Sequence, residues 1–163
     1  MKKLILSAMM LIVFAVGLQA QEVSKNALGA RLWSNNGFGG EISYQSILSK
    51  RNRLELDFGY RKIEYKDVKV TKLVGLYQWV WNVSGGFNWY AGVGAGIGSH
   101  NTPGDNSSNS NGMLILAAGD LGIEYLFDFP LQVSLDVRPE YVASKYNPNR
   151  SYTDIGLGIR YRF

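Results

Sequence analysis

Ser151-Tyr-Thr-Asp-Ile-Gly-Leu-Gly-Ile-Arg-Tyr-Arg-Phe163 is the stretch on which the fold turns. From Asp154 onward every second residue is apolar: Ile155, Leu157, Ile159, Tyr161 and Phe163 share one face of a strand. Asp154, Gly156, Gly158, Arg160 and Arg162 share the other. Side chains alternate across a strand with period two, so one face is oily and the other charged or bare. Such a strand fits a barrel in a lipid bilayer, with lipid outside and a polar interior.

Working back from that strand, the same period recurs in runs of roughly ten residues closed by turn signals. Eight runs are predicted: 27–34, 39–49, 53 onward, 70–82, 87–99, 113–127, 131–143 and 151–163. In the first, Leu28, Ala30 and Leu32 oppose Gly29, Arg31 and Trp33, and Asn35-Asn36-Gly37 is a strong hairpin signal. The third run changes phase near Arg61-Lys62, which predicts a bulge there or a strand end rising above the lipid. The fourth is ambiguous, because Leu73, Tyr77, Trp79 and Trp81 oppose Val74, Leu76 and Val80. In the fifth, Gly92, Gly94, Gly96 and Gly98 make one face almost bare, leaving space in the interior or room for a bulky neighbour such as Trp33 or Tyr90. Pro139 in the seventh lacks a ladder donor and is expected near that strand's outer end or at a bulge. Residues 101–112 are rich in Asn, Ser and Gly and read as a solvated loop.

Alternation alone does not choose between a membrane barrel and a soluble ligand-binding barrel with its apolar face inside. Volume does. An eight-stranded barrel is only just filled by side chains, and the Leu, Ile, Phe, Tyr and Trp faces would overfill it. The opposite faces carry glycines and charges of both signs, which can pair across a narrow lumen. Arg31, Glu41, Glu55, Asp57, Asp120, Glu124, Asp136, Arg138, Glu140, Asp154, Arg160 and Arg162 are therefore expected to form an interior salt-bridge network, its last eight members as one group from the last three strands. Trp79, Trp81, Phe87, Trp89, Tyr125 and Phe127 gather at the short-turn ends of their strands, as an aromatic belt at a bilayer interface would.

The N-terminus reads as a secretory signal over residues 1–20: Lys2 and Lys3, an apolar run from Leu4 to Leu18, then Gln19-Ala20 before a polar start at Gln21. Residues 21–163 are enough for one barrel domain. The chain has no cysteine, which excludes disulfides, thiolate metal sites and a lipidated N-terminal cysteine. Its net charge of +4 includes the two leader lysines, so nucleic acid is not an expected partner.

The signal segment and the eight runs are joined by Gly29-Ala-Arg-Leu32 leading to Gly40-Glu-Ile-Ser-Tyr-Gln45, by Leu135-Asp-Val-Arg-Pro-Glu-Tyr141, and by the terminal Tyr161-Arg-Phe163. In these the chain resembles the small OmpA/OmpX-type outer-membrane β-barrel proteins of Gram-negative bacteria. The resemblance implies an all-β fold: an eight-stranded antiparallel up-and-down transmembrane barrel with both termini on the periplasmic side. It also implies outer-membrane lipid as surroundings and a monomer. The barrel-insertion machinery would contact Leu157, Ile159, Tyr161 and Phe163 during assembly. Most connections are short, so a surface partner would be met chiefly through loop 101–112.

For chemistry the residues offer little. His100 is the only histidine. A lipid-modifying site would pair it with a serine, but neighbouring strand residues such as Ser99 point to opposite faces. The alternating glycines precede no helix and do not make a phosphate loop. Loop 101–112 lacks the spaced carboxylates of a calcium site. No enzyme activity, metal or cofactor is expected. The leading expectation is a structural or surface-interaction protein with a filled polar interior; the alternatives are a narrow pore and a lipid-modifying enzyme.

Overall fold

The computed structural model describes residues 24–34, 38–63, 68–101, 112–144 and 150–163. The predicted signal segment 1–20, the Asn35–Gly37 turn, loop 102–111 and the connection 145–149 lie outside them. Eight strands form: β1 (Asn26–Ser34), β2 (Phe38–Ile47), β3 (Asn52–Ile63), β4 (Val68–Ser84), β5 (Phe87–Asn101), β6 (Gly112–Leu126), β7 (Leu131–Ser144) and β8 (Arg150–Arg162). Each pairs antiparallel with its sequence neighbours, and β1 pairs with β8 to close the barrel. Asn26 N–H donates to Phe163 O at 3.0 Å and Phe163 N–H to Asn26 O at 2.9 Å, so both ends of the described chain meet at one seam. That end of the barrel also carries the tight connections 48–51, 85–86 and 127–130. Gly85 allows the tightest of them by adopting φ 54°.

The β3–β4 register runs without a break from Asn52↔Trp79 to Ile63↔Val68, so no bulge interrupts residues 61–62. The strand extends straight on through the phase change. The bulge lies instead beside Val83, where the β4–β5 register shifts between Asn82 and Ser84. Pro139 is neither at a strand end nor at a bulge. It sits within β7 opposite Thr153 of β8, and the β6–β7 register resumes unchanged on either side of it. Gly119, the residue across from it on β6, leaves room: a Cβ there would lie 3.2 Å from Pro139 Cγ. The missing donor is tolerated because the two flanking pairs, Ala118↔Glu140 and Leu121↔Val137, hold the ladder.

β4 is apolar on both faces for a local reason. Val74 and Leu76 point inward and pack with Leu116 and Ala118 of β6 in an aliphatic patch, flanked by Leu114 and Val142. β5 runs between them with glycine at its inward positions. Val74, Gly96 and Leu116 are register partners in sequence across the three strands. A Cβ on Gly96 would stand 3.1 Å from Val74 and 3.2 Å from Leu116, so the bare strand lets its two neighbours lean together over it. These glycines do not make room for Trp33 or Tyr90. Gly39 lies against the Trp33 indole, and Gly122 against the Tyr90 ring.

Candidate functional site

The chemistry-bearing residues of this barrel converge in its lumen. The period-two pattern turns Arg31, Glu41, Glu55, Asp57, Asp120, Glu124, Asp136, Arg138, Glu140, Asp154 and Arg160 inward, where all are buried. Leu28, Ile42, Phe58, Ile97, Ile115, Leu135, Ile155, Leu157 and Ile159 point outward and are exposed. The barrel is thus inverted relative to a soluble domain, whose large apolar side chains sit inside.

Arg138 of β7 is the hub. Its guanidinium lies 2.8 Å from Asp57, 2.9 Å from Glu55, 3.2 Å from Glu41 and 3.8 Å from Asp120. Arg31 of β1 pairs with Asp136 of β7 and, at 3.2 Å, with Glu41 of β2. Gly156 is bare because the Arg31 guanidinium occupies the space a Cβ would need. Arg160 of β8 reaches Glu55 at 3.3 Å and donates to Ser43 Oγ at 2.9 Å and Ser134 Oγ at 2.8 Å. Nearer the long connections, Lys72 Nζ sits among Glu140 (2.6 Å), Glu41 (3.1 Å) and Asp154 (3.7 Å). Nearer the tight turns, Arg53 pairs with Glu124 at 2.6 Å and lies 4.7 Å from the Tyr90 ring centroid. Gln45, Gln78, Asn88 and Gln132 add hydrogen bonds to the network, including Gln132 to Glu124 at 2.9 Å and Asn88 to Glu124 at 3.0 Å. A buried charge without a partner costs several kcal/mol, so sharing of this kind is what lets ions fill a narrow tube.

The structure refines one sequence expectation and corrects another. The ionic groups of the last three strands, Arg162 apart, join one network, but mostly through partners on β1 to β4, across the lumen. Alternation assigns a face to each residue but says nothing about which strands stand opposite once the sheet closes. Arg162 is not a member of the lumen network. It is half-buried at the tight-turn end, where its guanidinium donates to the backbone carbonyls of Phe127 (2.6 Å) and Phe129 (3.2 Å). At that height of β8 the carbonyls of the β6–β7 turn lie within reach of the Arg162 guanidinium.

Arg53 and Gln78 belong to the site without standing among the sequence candidates, and Lys72, Gln45 and Tyr90, inward by the pattern, join them there. The signal was present for each, since each shares the parity of an inward neighbour: Arg53 with Glu55, Lys72 with Val74, Gln78 with Leu76. Arg61, at the phase change of the third run, is half-buried with its guanidinium 5.2 Å from the Trp33 ring.

Outside, the aromatic residues cluster as the pattern places them. Trp81 and Trp89 stack at 4.2 Å between ring centroids, Tyr125 and Phe127 meet edge to face at 4.8 Å, and Tyr77 and Trp79 at 5.1 Å. Trp79, Phe87, Trp89 and Tyr125 are exposed, Trp81 and Phe127 half-buried, all near the tight turns. Leu157, Ile159 and Phe163 are exposed on the outer wall, and Tyr161 is half-buried with its ring 6.5 Å from that of Phe163. The backbone of His100 pairs with Val70 and Gly112, and Ser99 is exposed; the His100 side chain lies outside the described set. Among the described residues no group of three His, Cys, Asp or Glu side chains is placed to hold a metal ion.

Fold and lumen together define a class, closed eight-stranded antiparallel barrels with a polar interior, and this chain is similar to solved proteins of that fold. The N-terminal β-barrel domain of Pseudomonas aeruginosa OprF is similar over 86% of this chain and 98% of its own, with TM-score 0.68 and 16% identity. Neisserial surface protein A matches over 85% of this chain and 95% of its own, with TM-score 0.67 and 18% identity. Ail, the attachment invasion locus protein of Yersinia pestis, matches over 86% and 97%, with TM-score 0.57 and 17% identity. No protein-family model matches the sequence, and no curated protein matches it.

Proposed function

We propose that this chain is an integral protein of a bacterial outer membrane, exported with removal of residues 1–20, whose barrel is a filled scaffold with a structural or surface-interaction role. The single observation carrying the reading is the inversion of the wall. Exposed Leu, Ile, Phe and Trp side chains surround a lumen of paired Arg, Lys, Asp and Glu. Hydrocarbon is the one solvent in which that arrangement is stable, because a closed barrel satisfies its backbone groups internally. Both described ends and the tight turns face the periplasm in this reading, and the longer connections, 102–111 among them, face outward to meet partners. Phe163, Tyr161, Ile159 and Leu157 present one outward face to the insertion machinery.

Paired charges filling the lumen support a scaffold over a pore: eight strands leave an interior just wide enough for side chains. They equally support a non-catalytic role, since among the described residues the lumen carboxylates are engaged with Arg or Lys. The test is expression of the full chain in a Gram-negative host. Separation of the membranes should place it in the outer one, with heat-modifiable gel mobility and an N-terminus at Gln21, and the purified barrel should show no stable openings in planar bilayers. Recovery in the soluble periplasm would overturn the membrane reading, and discrete, long-lived openings would replace the scaffold with a pore.

A further inference from the structure

The rim at the tight-turn end has two unlike sides. Beyond the β6–β7 turn it carries Phe127, the exposed Phe129 and the exposed Asp128. Four strands away in an eight-stranded ring, and so on the opposite side, the β2–β3 turn carries Lys50 and Arg51, both exposed. Lys25 joins them: its carbonyl accepts from Ile47 N–H at 2.8 Å, which ties the approach to β1 beside the same turn. Among the described residues no ion pair engages these three cations, and Glu124, a lumen carboxylate toward that end, pairs with Arg53. The turn backbone is held in place. Leu48 and Ser49 N–H donate to Asn52 O at 2.9 and 3.0 Å, and Arg51 O accepts from Val80 N–H at 2.8 Å.

The height of this cluster is informative. Asn52 is the register partner of Trp79, so along the same ladder Arg51 and Lys50 stand level with Val80 and Trp81, at the outer edge of the aromatic belt. Alongside the belt's Trp79, Ile47 and Leu48 are 48% and 56% exposed. Apolar side chains at the acyl boundary followed at once by cations match the order of chemical groups met on leaving a bilayer: hydrocarbon, glycerol, phosphate. Isolated phosphate would find no enclosed cradle here. A lipid would gain both the ionic contact and the apolar one.

We propose, resting on the membrane reading above, that Lys25, Lys50 and Arg51 form a selective contact for anionic glycerophospholipid headgroups in the leaflet bordering the tight turns, with Ile47 and Leu48 seated against the acyl chains. A zwitterionic headgroup carries its own cation and competes poorly for the three positive side chains. A net-negative one does not. The contact is electrostatic and solvent-exposed, so it weakens as salt is raised.

The experiment is electron paramagnetic resonance on the protein refolded into phosphatidylcholine vesicles doped with spin-labelled lipid. At low salt, labelled phosphatidylglycerol should occupy the motionally restricted shell about fivefold more readily than labelled phosphatidylcholine, the preference expected of one effective basic contact. The Lys25→Gln/Lys50→Gln/Arg51→Gln variant should bring the two to near parity, as should high salt, whereas Lys25→Arg/Lys50→Arg should keep the preference. A triple variant that inserts with heat-modifiable mobility and retains the preference would overturn the proposal alone. A protein that never enters the vesicles would overturn the membrane reading and this contact with it.

Discussion

Trp33 shows how one side chain shapes its surroundings. Its indole is buried at the lumen end nearer the long connections, with Lys72 Nζ 5.0 Å and Arg61 5.2 Å from the ring, both cations on an aromatic surface. Its register partner is Gly39, and a Cβ there would run into the ring. That Trp33 faces inward was legible from Gly29, Arg31 and Trp33 sharing one parity. That Gly39, and not the glycines of β5, makes its space was not, because it depends on the exact pairing of the β1–β2 hairpin. Gly39→Ala should lower stability by about 1–3 kcal/mol through overpacking. Trp33→Leu should absorb part of that cost, so the double variant should fall short of the summed singles in urea unfolding followed by fluorescence. Strict additivity would show that the indole and Gly39 are not in contact.

β8 and β4 mark the two extremes of what a strand pattern reveals. From Asp154 to Arg160 of β8 one face is exposed on the outer wall and the other buried in the lumen, so alternation there is complete and register is strongly specified. Inserting a single residue between Gly158 and Ile159 would send Arg160 into lipid on one side of the insertion or Asp154 on the other. Arg on the lipid side of a barrel wall costs up to about 2–4 kcal/mol, most at the midplane, and Glu55 would lose one of the two guanidiniums it pairs with. The insertion should abolish heat-modifiable mobility on gels; a variant retaining it would show that the pattern does not set the register. β4 was read poorly because its inner face is charged at Lys72, aliphatic at Val74 and Leu76, and polar again at Gln78. No single period describes a wall whose polarity changes with height.

The ion-pair network belongs to the closed barrel and to no smaller unit. Arg138 of β7 holds Glu41 of β2 and Glu55 and Asp57 of β3, strands that are brought within reach only when β1 and β8 join. Arg138→Ala removes the common counter-charge of several buried carboxylates at once. Loss of one partner of a buried pair costs about 3–5 kcal/mol, so the variant should unfold at clearly lower urea and lose its compact gel form. An unchanged urea midpoint would mean that the lumen charges are paired by other means and do not support the barrel.

The strand count, the parity of nearly every inward and outward residue and the gathering of aromatics near the tight turns follow from order along the chain. They depend on period two and on turn residues, which are local properties. Closure alone settles which charges meet, since partners such as Arg31 and Asp136 stand more than a hundred residues apart and touch through the lumen. The same long-range geometry gives Arg162 to the turn carbonyls, puts an aliphatic patch over the β5 glycines, and sets a basic rim opposite an aromatic one. Contacts across a closed sheet depend on curvature and stagger, and neither is written in the polarity of any one strand.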